Sequence, residues 1–158
     1  IVYATTHKAD YNIAIKSVVY NEAMTIGENE IEITFVNDGK YDQQARSSIT
    51  LSSEDEYITI ITNNVNLNAL DVDEEDTKTF TISLNEIPPL GYEVNINANI
   101  TQKFEPFLSW DCPFTLIPNF TIGIEESEND DETLFAVVNG EILNINGIDE
   151  FRRKSLFH

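Results

Sequence analysis

Residue types on which many catalytic and metal sites depend are scarce in this chain of 158 residues. It has two histidines, one cysteine and one tryptophan. A single cysteine excludes an internal disulfide, and so few histidines and cysteines cannot supply a tetrahedral zinc site. The sequence also lacks a run of about 18 apolar residues, so we predict no membrane-spanning helix.

Basic residues are scarce as well, and the resulting negative charge limits the classes of partner that the chain is expected to bind. Nine basic residues stand against 28 acidic ones, which gives a formal net charge of −19. Such a field repels phosphate backbones and anionic lipid surfaces, which argues against nucleic-acid binding and electrostatic membrane docking. A heavily hydrated surface is the simplest interpretation of the acids, and a store for cations is the alternative.

Alternation of apolar and polar residues is the main pattern present, and Ser47–Thr62 shows it best. Ile49 and Leu51 alternate with Ser and Thr, Glu54–Glu56 interrupt the pattern with charge, and Tyr57–Ile61 resumes it. This pattern is typical of two half-buried strands joined by an acidic hinge. Similar strands are predicted at Tyr11–Tyr20, Glu30–Val36, Lys78–Leu84, Tyr92–Ile100 and Leu108–Leu116.

No segment has helical periodicity, and the strands are short and separated by polar turns. We therefore predict an all-β fold, an antiparallel immunoglobulin-like β-sandwich of about seven strands, with a short β-prone C-terminal appendage. Asn37–Gly39 has turn chemistry, in which glycine would tolerate a positive φ. Pro113 interrupts the last strand and predicts an edge position or a bulge, because proline cannot donate to a ladder.

Composition divides the chain into four parts. We expect an incoming linker or edge strand at 1–9, the sandwich at 10–118, an acidic linker at 119–132 and a partial β segment at 133–158. The first residue is Ile1 and not Met, and no charged-then-apolar leader is visible, so we expect a piece of a longer protein.

The residue inventory favours a non-enzyme. Cys112 lies between Trp110 and Phe114 in an apolar series, so a small core residue is the simpler interpretation than a nucleophile paired with His7 or His158. Carboxylates are abundant, but nothing in the sequence selects an acid–base pair among them.

The best metal candidate is the acidic bend that holds Asp71, Asp73, Glu75 and Asp76. It begins like an EF-hand loop, but it lacks the sixth-position glycine and has Ile82 where the bidentate acid belongs. An irregular calcium site is one hypothesis, and a hydrated loop without any cofactor is the other.

A polar row on the long strand offers a possible binding surface. Asn95, Asn97 and Asn99 would share its outer face, and Tyr92 and Trp110 could stack on sugars if they were exposed. Core packing is the simpler interpretation of the two aromatic residues. A glycan- or host-protein-binding adhesion module, with its site on this face or in the acidic loops, is therefore the alternative to a purely structural module.

The order of motifs resembles a known type of domain. FVNDG at 35–39, LSSEDEYI at 51–58, GYEVNI at 91–96 and WDCPFTL at 110–116 are similar to the immunoglobulin-like, CARDB-like domain that follows the catalytic domain in gingipain-type and other secreted proteases of the Bacteroidetes. The resemblance covers roughly residues 10–118. The acidic glycine-rich loop of that family is represented only by MTIGE at 24–28, which is a departure.

The tail carries a second resemblance. Val138–Ile145 and Glu150–Phe157 are similar to the first strands of type IX secretion sorting domains, whose later strands are missing here. Together the resemblances imply an accessory, non-catalytic spacer or stabiliser. Its partners would be an adjacent catalytic domain, a peptidase, in the same parent chain and the secretion machinery. They also imply export to the cell surface or the medium.

Overall fold

The computed structural model describes residues 8–21 and 23–119, and the backbone of 122–126, 134–138 and 141–145. The chain divides into two compact units at residues 118 and 119. The predicted linker or edge strand at 1–9 is described only at residues 8 and 9. Arg152, Arg153 and Lys154, which form a basic cluster in the sequence, lie outside the described residues.

The first unit is built from eight strands that form two antiparallel four-stranded sheets. The strands are β1 (Ile13–Tyr20), β2 (Gly27–Asn37), β3 (Ser47–Ser52), β4 (Ile58–Ile60), β5 (Asn64–Asn66), β6 (Glu75–Leu84), β7 (Val94–Gln102) and β8 (Ser109–Leu116). Their orders are β1-β2-β6-β4 in the first sheet and β5-β3-β7-β8 in the second. The spatial order of the strands resembles the ABED and C′CFG sheets of an immunoglobulin-like sandwich, except that β4, in the D position, precedes β5, in the C′ position, along the chain. The predicted all-β fold of antiparallel sheets in a sandwich is confirmed.

The second unit contains a three-stranded antiparallel sheet in the order β11-β10-β9. Its strands are β9 (Ile122–Glu126), β10 (Leu134–Val138) and β11 (Glu141–Ile145). β9 therefore lies inside the stretch predicted as an acidic linker. The acids of that stretch begin only at Glu125, so the β-prone residues before them are able to pair with β10.

The inward faces of the two sheets form the core. These side chains are at most 2% exposed: Ile31, Ile33 and Phe35 of β2, Phe80, Ile82 and Leu84 of β6, Ile49 and Leu51 of β3, and Val94, Ile96, Ala98 and Ile100 of β7. The predicted alternation is thus confirmed on four strands. Burial of each large apolar side chain stabilises the fold by about 1.5–3 kcal/mol.

The last strand departs from this pattern. Trp110, Cys112 and Phe114 are only half-buried, and Leu108 precedes the strand and is 40% exposed. The reason is that β8 ends the order of its sheet, so fewer neighbours cover it. Of the edge position and the bulge that Pro113 predicted, the structure shows the edge position, with an unbroken register through Pro113.

The chain crosses from one sheet to the other between β4 and β5. The backbone N–H groups of Ile61 and Thr62 both donate to the Thr81 carbonyl in the first sheet. The very next carbonyl, that of Asn63, accepts from Leu51 N–H in the second sheet. The stretch 47–62 therefore contributes one strand to each sheet, with the acidic hinge between them.

The turn after β2 is buried and not merely polar. Asn37 is 0% exposed, and its side-chain nitrogen donates to the carbonyls of Tyr41 and Leu70, each at 3.0 Å. Gly39 does not have the positive φ that the turn chemistry led us to expect. Glycine is needed there because a Cβ atom would lie 2.8 Å from Asn12 N and 2.9 Å from Asp10 O.

β1 and β8, the first and last strands of the sandwich, lie next to each other at its edge and run in the same direction. The indole N–H of Trp110 donates to the Ile13 carbonyl at 2.9 Å, near the start of both strands. At their far ends, Ile117 N–H donates to the Tyr20 hydroxyl at 3.1 Å. The chain therefore enters the sandwich at one end and leaves it at the other, about 25 Å away for eight extended residues.

Candidate functional site

The outward face of the second sheet is almost wholly neutral and polar. Alternation along its four strands turns these residues outward: Thr50, Ser52, Asn64, Asn95, Asn97, Asn99, Thr101, Ser109, Asp111 and Pro113. We refer to these ten residues as the amide face. They include the three asparagines that the sequence singled out, and only one of the ten carries a charge.

Strand register arranges the amide face in rows. Ser52, Asn97 and Pro113 are partners across three strands. The next row consists of Asn64, Thr50, Asn99 and Asp111. Because neighbouring strands lie about 4.8 Å apart, side chains in one row are close enough to hydrogen-bond to each other.

Asp111 connects two asparagines of the amide face. Its Oδ1 accepts from Asn97 Nδ2 at 2.9 Å and from Asn99 Nδ2 at 3.0 Å. These two hydrogen bonds lower the pKa of the Asp111 carboxyl below its usual range, against a smaller opposing effect of desolvation. The carboxylate is therefore ionised at neutral pH and keeps both amides oriented.

Hydroxyl groups complete the orientation of Asn99. Its Oδ1 accepts from Thr101 Oγ1 at 3.2 Å and from Ser109 Oγ at 3.1 Å. With its nitrogen directed to Asp111 and its oxygen to two hydroxyls, this amide has a defined orientation. The centre of the amide face is thus a connected hydrogen-bond network.

An open groove of about 340 Å³ lies at the Asn97 end of the amide face. Ser52, Asn95, Asn97 and Pro113 line it together with Glu54 of the acidic hinge. Such a volume is at the small end of the range for ligand sites.

The hinge beside this groove is held by side-chain hydrogen bonds. Ser53 Oγ donates to the Asn95 carbonyl at 2.6 Å and accepts from Asp55 N–H at 3.1 Å. Asp55 in turn accepts from Tyr57 N–H and, at 3.2 Å, from the Tyr92 hydroxyl. Of the hinge acids, Asp55 therefore has a structural role, whereas Glu54 is exposed at the groove.

The two aromatic residues considered for sugar stacking serve packing. The Tyr92 ring lies 4.8 Å from the Tyr57 ring in an edge-on arrangement, and Trp110 donates to Ile13 as described above. Partial burial, followed by the nearby Asp55 carboxylate, raises the pKa of the Tyr92 hydroxyl. Neither residue belongs to the amide face.

The acids of the proposed calcium site each have a different neighbour. Asp73 lies 3.5 Å from Lys8, Asp76 lies 3.0 Å from Lys78, and Glu75 pairs with Lys16. Asp71 contributes its backbone N–H, which donates to a neighbouring glutamate. Within the described ranges no three His, Cys, Asp or Glu side chains are grouped to hold a metal ion. Calcium binding at these four residues stays a prediction.

Cys112 is held at the edge of the sandwich. Its Sγ lies 3.7 Å from the Ile13 carbonyl, and burial raises the pKa of the thiol despite a hydrogen bond from the Ile15 backbone. A raised pKa disfavours the thiolate, which is the nucleophilic form. His7 and His158, the candidate partners, lie outside the described residues.

Sequence reasoning missed Asp111, the one residue that organises the amide face. It is an isolated acid in an apolar series, and its partners are 12 and 14 residues away. The signal that could have revealed it is the pairing of the two predicted strands around it. Aligning Asn99 with Asp111 puts the carboxylate beside the asparagine row.

Comparisons with known proteins give no family for the chain. No protein-family model matches it, and no curated protein matches it significantly. None of its described residues form a helix long and apolar enough to cross a membrane.

The solved structures that match this chain include two at low identity. A FixG-related protein from Vibrio parahaemolyticus has a TM-score of 0.42 at 10% identity, covering 70% of this chain and 97% of its own. The E. coli chaperone DraB has a TM-score of 0.38 at 13% identity, covering 80% of this chain and 68% of its own. Likenesses of this size carry no functional argument.

Proposed function

We propose that this chain is a non-catalytic accessory module of an exported bacterial protein, in which the sandwich acts as a spacer and stabiliser. One observation carries the proposal. The chain enters the sandwich beside Trp110 and leaves it beside Tyr20, at opposite ends of the strands. A module with this geometry separates whatever precedes it from whatever follows it by the length of a strand.

The core supports the same role. Both sheets bury continuous apolar rows, with Phe35 and Phe80 at 0% exposure on one side and Ile49 and Ile100 at 0% on the other. A sandwich with its own core is able to keep its shape when it is attached to other domains.

Export and the nature of the parent rest on sequence resemblance. The motifs at 35–39, 51–58, 91–96 and 110–116 favour a neighbour with peptidase activity in the same parent chain, and the tail favours type IX secretion to the surface or medium. In this proposal the chain itself contributes no catalytic group.

Distance measurement tests the spacer geometry. Spin labels are attached to A9C and T115C in a C112A background, and their separation is measured by pulsed electron paramagnetic resonance. We expect about 25 Å or more, from the length of the strands. The control pair is A9C with K40C, which must be much closer because Lys40 N–H donates to the Ala9 carbonyl at 3.0 Å. Equal separations for the two pairs would contradict the spacer geometry.

Activity measurement tests the non-catalytic role. The whole chain is incubated with peptide and nitrophenyl glycoside substrates, and we expect no turnover above the uncatalysed rate. A kcat/KM near the usual enzymatic range of about 10⁴ M⁻¹s⁻¹ or more, which persists after repurification, would contradict the proposal.

A further inference from the structure

We propose that the amide face binds a neutral saccharide, seated in the groove between Ser52, Asn97 and Pro113. This goes beyond the spacer role and does not depend on it. The groove lies where one row of the amide face meets the acidic hinge, and it is open to solvent.

The groups in the groove match sugar hydroxyls. A hydroxyl both donates and accepts, and each asparagine offers an acceptor oxygen beside a donor nitrogen. Within the described part of the chain, neither Asn97 Oδ1 nor the Ser52 hydroxyl takes part in a hydrogen bond with the protein. Both therefore have capacity for a ligand.

The network behind the groove fixes the recognition geometry. Asn97 Nδ2 is held by Asp111 at 2.9 Å, and the Asn95 backbone is held by Ser53 at 2.6 Å. Groups that are already oriented lose little conformational entropy when a ligand binds. The flat ring of Pro113, which is exposed, supplies an apolar contact for the carbon face of a sugar.

Charge selects a neutral ligand. Glu54 stands exposed at the groove, and the negative charge of its carboxylate repels sulfated or sialylated glycans. The single carboxylate of the amide face, Asp111, is already engaged by two asparagines, which leaves little attraction for a cation.

The composition of the face also argues against a protein partner. Binding energy in protein interfaces is concentrated in Trp, Tyr and Arg side chains. None of the ten residues of the amide face is of these types. Small amide and hydroxyl groups around an open groove suit a saccharide better.

Titration of the whole ¹⁵N-labelled chain tests the proposal. The probes are cellohexaose, chitohexaose and a mannohexaose, with a heparin hexasaccharide as the anionic comparison. We expect at least one neutral probe to shift the amide signals of Ser52, Asn95 and Asn97, with a Kd on the order of 1 mM. The heparin probe is expected to leave these signals unchanged.

Substitutions connect the binding to the groove. N97A is expected to weaken binding about fivefold, the equivalent of one neutral hydrogen bond. T79A, on the outward face of the other sheet, is the matched control and is expected to leave the Kd unchanged. The dispersed spectrum of each variant shows that it is folded, and N95A provides a second test of the same groove.

Several outcomes would overturn the proposal. These are no shifts in the groove with any neutral probe at about ten times the expected Kd, shifts confined to other surfaces, preference for the heparin probe, or equal affinity of N97A and T79A.

Discussion

The two sheets of the sandwich turn different chemistry toward solvent. On the first sheet, β2 carries Glu28, Glu30 and Glu32 in alternate positions, paired with hydroxyl residues of β6. On the second sheet, the amide face carries one carboxylate, which accepts hydrogen bonds from two asparagines. The negative charge of the chain is therefore unevenly distributed between the two sheets. Repulsion of anionic partners is not expected to be equal on every surface.

The inward faces of the two sheets, in contrast, both consist mainly of buried apolar side chains. Substitutions there are expected to have the largest effects on the free energy of unfolding. F80A in the first sheet is expected to lower the free energy of unfolding by about 3–5 kcal/mol, and I100A in the second by about 2–5 kcal/mol. Both side chains are fully buried, so each change leaves a cavity. Urea denaturation measures the loss. T79A should stay within about 0.5 kcal/mol of the wild type. A cost below about 1 kcal/mol for I100A alone would show that the sheets do not share one core.

Asn37 is a buried polar residue among the apolar side chains on the inward side of the first sheet. N37A is expected to cost about 2 kcal/mol or more, because the carbonyls of Tyr41 and Leu70 lose their donor. Denaturant unfolding again provides the measurement. E30A, an exposed substitution on the same strand, is the comparison. If N37A proved no more costly than an exposed substitution, the buried turn would not be a stabilising feature.

The contact between the edges of the two sheets should have a smaller effect. W110F keeps an aromatic ring but removes the indole N–H that donates to Ile13. We expect a loss of about 1 kcal/mol, the net value of one hydrogen bond, with additional loss from the smaller ring. F114L, a half-buried change on the same strand, is the control. A thermal melting temperature for W110F equal to that of the wild type would show that the hydrogen bond from Trp110 to Ile13 does not stabilise the contact between the two sheets.

The smallest effect concerns acid. The pKa of Asp111 is lowered in the folded chain, so its contribution to stability is present above the unfolded pKa of 3.8 and is lost as pH falls through the folded value. The double variant N97A/N99A should raise the pKa of Asp111 and remove that acid-dependent loss. Carboxyl ¹³C titration by NMR measures the shift, with T81A on the other sheet as the control. An unchanged pKa in the double variant would mean that the asparagines do not stabilise the carboxylate.

Alternation predicted the long strands well because it directly reflects which side of a strand faces the core. Glu30–Val36 was predicted where β2 spans Gly27–Asn37, and Lys78–Leu84 lies within β6. β5 was missed, since a strand of three residues with two asparagines has no apolar alternation. It forms by pairing with Ser48, Ile49 and Thr50 of β3, a relation that its own three residues do not reveal.

The candidate site was only partly predictable for the same reason. The asparagine row of β7 was evident from its spacing, and the structure places it on an outward face as expected. The network with Asp111 depends on the register between β7 and β8, and the groove depends on the hinge after β3. Neither relation can be derived from one strand alone.

The parallel course of β1 and β8 determines how the sandwich responds to tension. Force applied along the chain pulls Ile13 and Ile117 apart, and so slides one edge strand along the other. The contacts of Trp110 and Cys112 with Ile13, and of Tyr20 with Ile117, lie across that direction and are loaded together. Tension therefore shears all of these contacts at the same time, and they do not break one after another.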